Sequence, residues 1–280
     1  MQKLPVSKYS LMRDGITQSL FQNYMACPKK FSLVTAGVGK PTKMVMELGS
    51  AGHKALETLG KEKYIVDKSI SKEEQLQIEA CVKAIYPAYA AHYAKEDAGW
   101  KNNPEMVFDA LLEGTRIRGK IDNVLHGKNS VMLRETKFKA RISEDSLDRG
   151  LALDFQSLFY VLAYWLQTGV RPSGVQYDVV RYPTIKFGMT PKDIYDAVIL
   201  GTKKEPERWF YRWETAFTEQ DILTFKGELV QKLKELRERK IWYRNECACN
   251  GAFKCDFIDY CAAGNLTGLV KRELFSELNK

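Results

Sequence analysis

The stretch between residues 106 and 138 constrains the fold more than any other. Three extended runs, 106–114, 116–126 and 130–138, follow one another with only short turn signals between them. Runs joined this tightly can pair only with their neighbours, so the chain must contain antiparallel strands. The second run alternates: Ile117, Ile121 and Leu125 share one face, and Arg118, Lys120 and Asp122 share the other. His126-Gly-Lys-Asn-Ser130 supplies the hairpin turn. On either side the apolar period becomes helical. Helices are expected over 19–27, 43–60, 71–93, 154–167, 191–200 and 218–240, and further strands over 174–182 and 209–213. Ser71 and Glu74 have capping-box spacing, with Leu76, Ile78, Cys81, Val82 and Ile85 forming the stripe behind them. Cys81 reads as a small buried hydrophobe, and Pro87 is expected to kink or break that helix. The apolar helix over 154–167, stopped by Gly169, offers a parallel crossover from the hairpin to the strand over 174–182.

The expected fold class is therefore α/β: a central mixed sheet flanked by helices, with a helical N-terminal cap and a Cys-rich C-terminal tail. Three regions follow: 1–103, helical; 104–244, the core; and 245–280, the tail. Apolar residues make up 45% of the chain, enough for a substantial core. The longest apolar run, 158–166, has nine residues, whereas a membrane-spanning helix needs about 20. The first residues lack the apolar segment of a secretory signal, so a soluble cytoplasmic protein with no membrane partner is expected. Lys plus Arg number 43 against 35 Asp plus Glu, a net charge of +8 that favours polyanionic partners such as nucleic acid.

Asp122 and Glu135 lie thirteen residues apart about a turn centred near Lys128, so their carboxylates should face each other across the hairpin. Glu135 and Lys137, two apart on one strand, project from the same face. Taken alone, Glu-x-Lys is a common surface pair. Two carboxylates and an ammonium converging on one face are costly to bury without a counter-ion. Mg²⁺ or Mn²⁺ takes such oxygen donors and acidifies bound water.

Four segments together resemble the RecB-like branch of the PD-(D/E)XK nucleases, which includes the CRISPR-associated RecB-like exonucleases and phage-encoded relatives. Gly49-Ser-Ala-Gly-His53 resembles G-x-x-x-H, Gly119-Lys-Ile-Asp122 resembles G-x-I-D, Glu135-Thr-Lys137 resembles (D/E)-x-K, and Gln156-Ser-Leu-Phe-Tyr160 resembles Q-x-x-x-Y. They occur in the family's order and span roughly residues 19–264. The resemblance implies a restriction-endonuclease-like core and a metal-dependent deoxyribonuclease, an exonuclease on single-stranded DNA or DNA ends. It implies that His53, Asp122, Glu135 and the Thr136 carbonyl hold the Mg²⁺ or Mn²⁺, and that Lys137 activates water. It places Gln156 and Tyr160 beside the substrate. A host would be a bacterium or a virus-infected cell, and partners would be a helicase, a recombinase or a CRISPR integration complex. The rival reading is a DNA-binding or assembly subunit that cleaves only with a partner or not at all. The residues agree: Gly49 and His53 are four apart, which would let the glycine clear space for close approach, and Gln156 and Tyr160 share one helix face.

Cys249, Cys255 and Cys261 are spaced C-x5-C-x5-C, wider than zinc pairs usually are. A larger cofactor, an iron–sulfur cluster, needs four thiolates. Similarity to the iron–sulfur subset of the family implies a 4Fe–4S cluster whose fourth ligand is Cys27. Cys247 competes with Cys249 for one place, and a zinc site or free thiols are the other readings.

Overall fold

The computed structural model describes residues 7–141, 150–151, 153–186, 188–249 and 254–278. In chain order, α1 is Leu11–Asp14, β1 Ile16–Thr17, α2 Gln18–Ala26, α3 Pro28–Thr35, β2 Val38–Gly39, α4 Met44–Glu57, α5 Lys72–His92 and α6 Ala94–Asp97. The strands β3 Lys101–Leu112, β4 Thr115–His126 and β5 Val131–Lys139 come next. Then follow α7 Phe155–Thr168, β6 Gly174–Arg181, α8 Pro191–Lys204, β7 Phe210–Thr215, α9 Glu219–Glu238, α10 Glu246–Cys249, α11 Ile258–Ala263 and β8 Val270–Lys271.

Six of these strands form one mixed sheet. The hairpins β3–β4 and β4–β5 are antiparallel, β6 joins β5 in parallel, and β7 closes the far edge antiparallel to β6. Helix α7 makes the crossover that the parallel pair requires. Its start is fixed by Asp154, whose side chain accepts from Ser157 N–H at 2.8 Å, and its end by Gly169 in the left-handed region. Ser71, Thr190 and Thr218 open α5, α8 and α9 with reciprocal capping boxes.

The sheet is covered on both faces, as an α/β fold requires. One layer buries Leu20, Phe21 and Phe31 of α2 and α3, Phe159 and Leu162 of α7, and Ile222, Phe225 and Leu229 of α9 against Ile117, Ile121, Leu133 and Val175. The other buries Leu48 and Ala51 of α4, Ile78, Cys81 and Ile85 of α5, and Ile194 and Val198 of α8 against Val180 and Phe210. Burial pushes the Cys81 thiol up to about 12, in keeping with a packing role.

Three expectations need correction. Pro87 does not break α5, which runs from Lys72 to His92. Proline costs a helix interior about 3 kcal/mol, and here apolar side chains are buried on both sides of it, from Ile78 to Tyr89. The N-terminal region is not purely helical: β1 pairs in parallel with β4 (Ile16↔Ile117), and β2 pairs with β8 of the tail (Val38↔Lys271). Strand β3 begins at Lys101 rather than at 106 and passes through Pro104. It pairs only with β4, and an outer strand tolerates the missing N–H. Among the described residues no helix is long and apolar enough to cross a membrane.

Candidate active site

Strand β4 shares one of its edges between two partners. β3 occupies the other edge along its whole length. On the shared edge β5 pairs only from His126↔Val131 to Asn123↔Arg134, and β1 pairs with Ile117 and Arg118. The sheet therefore opens just past Asn123, and Asp122 and Glu135 are the first residues released from the ladder. Asp122 Oδ2 takes over as acceptor for Thr136 N–H at 2.8 Å. This holds the carboxylate at the mouth of the opening.

Around that opening the structure gathers the residues of all four segments. His53 on α4 places Nδ1 3.5 Å from Asp122 Oδ2, and its ring rests edge-on against Phe138 with centroids 5.5 Å apart. Glu135 Oε1 accepts from Lys137 Nζ and, at 2.8 Å, from Gln156 Nε2. Lys137 Nζ also donates to Gln156 Oε1 at 3.0 Å. Gln156 Nε2 lies 3.2 Å from the Tyr160 hydroxyl. One glutamine on α7 thus clasps the acid and the amine of β5 together. Thr136 sits between them with its amide committed to Asp122.

Gly49 is not where α4 comes close. A Cβ added there would meet nothing within 4 Å, whereas one on Gly52 would lie 2.3 Å from the Phe138 ring. Gly52 therefore lets α4 settle onto β5 and brings His53 to Asp122. Both glycines lie within one turn of His53, so spacing alone did not separate them.

Glu105 escaped the sequence reading. It lies on β3 across from Asp122, between the pairs Pro104↔Asn123 and Met106↔Ile121, with φ at 54°. It pairs with Lys120. Donor atoms of His53, Glu105 and Asp122 all lie within 4.8 Å of one another. The signal was available, because Glu105 and Asp122 are equidistant from the turn at Glu113-Gly114.

The electrostatics are those of a site with surplus negative charge. Burial pushes Asp122 up to about 6, against the Thr136 hydrogen bond, which acts the other way. Burial pushes Glu135 up to about 7, the Asp122 charge reinforcing it and Lys137 opposing it. Burial also opposes the charge on Lys137, yet the Glu135 carboxylate holds its pKa above the ordinary lysine value. Burial holds His53 below the usual imidazole range, favouring the neutral form that a metal needs. Glu135 Oε2 is buried without a hydrogen-bond partner among the described residues. An orphaned buried carboxylate oxygen and a neutral imidazole beside further carboxylates suit a hard divalent cation.

At the other end of the chain, Cys27 ends α2 and precedes Pro28 of α3. Asn245 N–H lies 3.4 Å from its Sγ, and the Asn245 side chain donates to the Ala26 carbonyl at 2.8 Å. Burial raises the Cys249 thiol, and Cys255 and Cys27 add to it. Burial raises that of Cys261, with Cys255, Cys249 and Cys27 adding to it. Cys249 and Cys261 thus feel each other's neighbours, Cys27 at the end of α2 and Cys255. Cys247 is exposed and belongs to neither set. Residues 250–253, between Cys249 and Cys255, lie outside the described residues.

A mixed sheet covered by helices on both faces, opened at two carboxylates with a lysine two residues on, defines a restriction-endonuclease-like fold. The chain belongs to the PD-(D/E)XK nuclease superfamily, whose profile matches residues 16–262. Among solved structures it is similar to a candidate exonuclease from Eubacterium rectale, with 14% identity and a TM-score of 0.53 over 95% of this chain and 100% of that one. A fainter likeness links it to an alkaline exonuclease from Laribacter hongkongensis (11% identity, TM-score 0.35, 81% of this chain and 88% of that one). Another links it to a phage-related exonuclease from Haemophilus somnus 129PT (16%, 0.37, 71% and 88%). At 14% identity the first of these likenesses speaks to the fold alone. No curated protein matches the chain.

Proposed function

We propose that this chain is a deoxyribonuclease of the RecB-like branch, dependent on Mg²⁺ or Mn²⁺, that hydrolyses phosphodiester bonds at DNA ends. One observation carries the reading: Glu135 is buried with one oxygen clasped by Lys137 and Gln156 and the other left without a partner among the described residues. His53, Asp122, Glu135 and the Thr136 carbonyl would hold the ion, and Glu105 joins them. Bound there, the cation supplies an acidified water and offsets negative charge on the phosphate. Lys137, kept charged by Glu135, orients the attacking water and donates to the phosphate as charge develops on it. Gln156 fixes the rotamer of Lys137 and leaves Tyr160 at the edge of the site. In-line displacement would leave 5′-phosphate and 3′-hydroxyl ends, as the family resemblance implies.

Cys27, Cys249, Cys255 and Cys261 would hold a 4Fe–4S cluster. Its part is mechanical: it ties α2 and α3 to the tail and closes a loop of roughly 220 residues, which restricts the unfolded chain. The regions 1–103, 104–244 and 245–280 would then act as cap, catalytic core and clasp.

The test uses end-labelled linear and circular single-stranded DNA with Mn²⁺. Linear DNA should be degraded and circular DNA spared. Glu135→Ala and Lys137→Ala should abolish cleavage while DNA binding survives. Undiminished cleavage by either variant would remove the assignment. Purification without oxygen should yield a brown protein containing iron and sulfide.

A further inference from the structure

On the face of β5 that carries Glu135 and Lys137, the next residue is Lys139. The register carries this face across the sheet: Glu135↔Tyr177, Lys137↔Val179 and Lys139↔Arg181 on β6, then Tyr177↔Trp213 and Val179↔Tyr211 on β7. Residues paired directly across strands share a face. Glu135, Tyr177 and Trp213 therefore stand in one row, with Trp213 about 10 Å from Glu135, two strand widths away. Lys137, Val179 and Tyr211 form the next row, and Lys139 and Arg181 begin a third.

Each row has a distinct chemistry. Tyr211 and Trp213 stack with rings 6° from parallel and centroids 5.5 Å apart, both half-buried against Leu151, Tyr177 and Val179. Of the neighbouring aromatics, Phe210 is buried in the opposite layer, and Trp209 packs on Gly201. Lys139 and Arg181 are half-buried side by side, and among the described residues neither forms an ion pair. Asp154, the carboxylate that acts on Lys139, already accepts from Ser157 N–H and Oγ at 2.8 and 2.7 Å. Among the described residues that one engaged carboxylate faces two adjacent cations, which keep positive charge for an anion to meet. Lys139 lies roughly 7 Å along the strand from Lys137, two residues of rise, which is about one nucleotide step.

We propose that Lys139 and Arg181 bind the phosphate adjacent to the scissile one, and that the Tyr211–Trp213 stack receives an unpaired base, so that the substrate crosses β5, β6 and β7 as a single strand. This rests on the nuclease reading and gives it strandedness. Aromatic stacking needs a base whose face is free, and a paired duplex end offers that only to its last pair. The phosphate contact is blind to sequence.

The experiment measures binding with divalent cations withheld. Fluorescence anisotropy follows a labelled single-stranded oligonucleotide, and a duplex of equal length, titrated with the full-length protein. The wild type should prefer the single strand. Lys139→Gln and Arg181→Gln should each weaken binding several-fold and together lower the slope of log affinity against log salt by roughly 0.7, the share of one phosphate on a single strand. Trp213→Ala should weaken single-strand binding by about five- to a hundred-fold, with Trp213→Phe restoring most of it. Unchanged affinity and salt slope in the two glutamine variants, or equal affinity for duplex and single strand, would overturn the subsite while leaving the nuclease reading intact. A wild type that binds no DNA would overturn both.

Discussion

Raising the pH should loosen this protein when it lacks a metal ion, and the opening between β4 and β5 is the reason. The Glu135 carboxyl rises from 4.5 in the open chain to about 7 in the fold, through burial first and the Asp122 charge second. A carboxyl whose folded value is raised is stabilising while protonated. Its contribution is complete below pH 4.5 and is lost as the pH climbs through about 7. At about 1.4 kcal/mol per pH unit, that loss is about 3 kcal/mol. Asp122, raised from 3.8 to about 6, loses its own share over a lower, overlapping window. Because the two charges act on each other, the shares overlap and about 3 kcal/mol stands for the pair. In a chain of this size such a change moves Tm by roughly 5–10 °C. The comparison that isolates it is wild type against the Asp122→Asn/Glu135→Gln double variant, melted in EDTA from pH 4 to pH 9. Near pH 4 the wild-type carboxyls are largely protonated in both the fold and the open chain, and the two proteins should melt together. Above pH 8 the variant should melt higher. With Mn²⁺ the order should reverse at high pH, because the ion binds ionised carboxylates and the amides are poor substitutes. A Tm difference that stays flat with pH in EDTA, or that Mn²⁺ does not reverse, would refute the reasoning.

Gly52→Ala should lower stability by about 1–3 kcal/mol, since the new methyl must displace the Phe138 ring; Gly49→Ala should be neutral or slightly stabilising, and denaturant melts of both variants check the pair. Glu105→Gln should weaken Mn²⁺ binding about tenfold or more by calorimetry, while a neutral change on a mere surface residue would leave it untouched. Cys249→Ser should remove the brown colour and the iron of anaerobically purified protein, whereas Cys247→Ser should keep both.

Register arithmetic made much of the site legible. A turn near Lys128 placed Asp122 opposite Glu135, and the structure releases those two residues from the ladder together. Four-residue spacing put Gln156 and Tyr160 on one helix face; Gln156 reaches Glu135 and Lys137, and Tyr160 meets Gln156. The same arithmetic about Glu113-Gly114 would have found Glu105. What stayed hidden depends on partners distant in sequence. β1, β2 and β8 have two residues each, too few for any period, and exist only because another segment supplies their hydrogen bonds. The choice between Gly49 and Gly52 turns on Phe138, more than eighty residues away. Helix α3 was hidden because it opens directly after α2 at Pro28, a first position where a missing N–H costs nothing.

The small ribbon of β2 and β8 has a consequence for how the molecule is made. Val38 and Gly39 find their partners in Lys271 and Val270, roughly 230 residues later. Contacts of such separation are slow to form and come after local ones. On the ribosome this segment must wait, its backbone satisfied by water, until β8 has followed it out. The ribbon thus buckles α2 and α3 in place only once residues 270–271 have been made, and a polypeptide that stalls short of β8 would leave them unfastened.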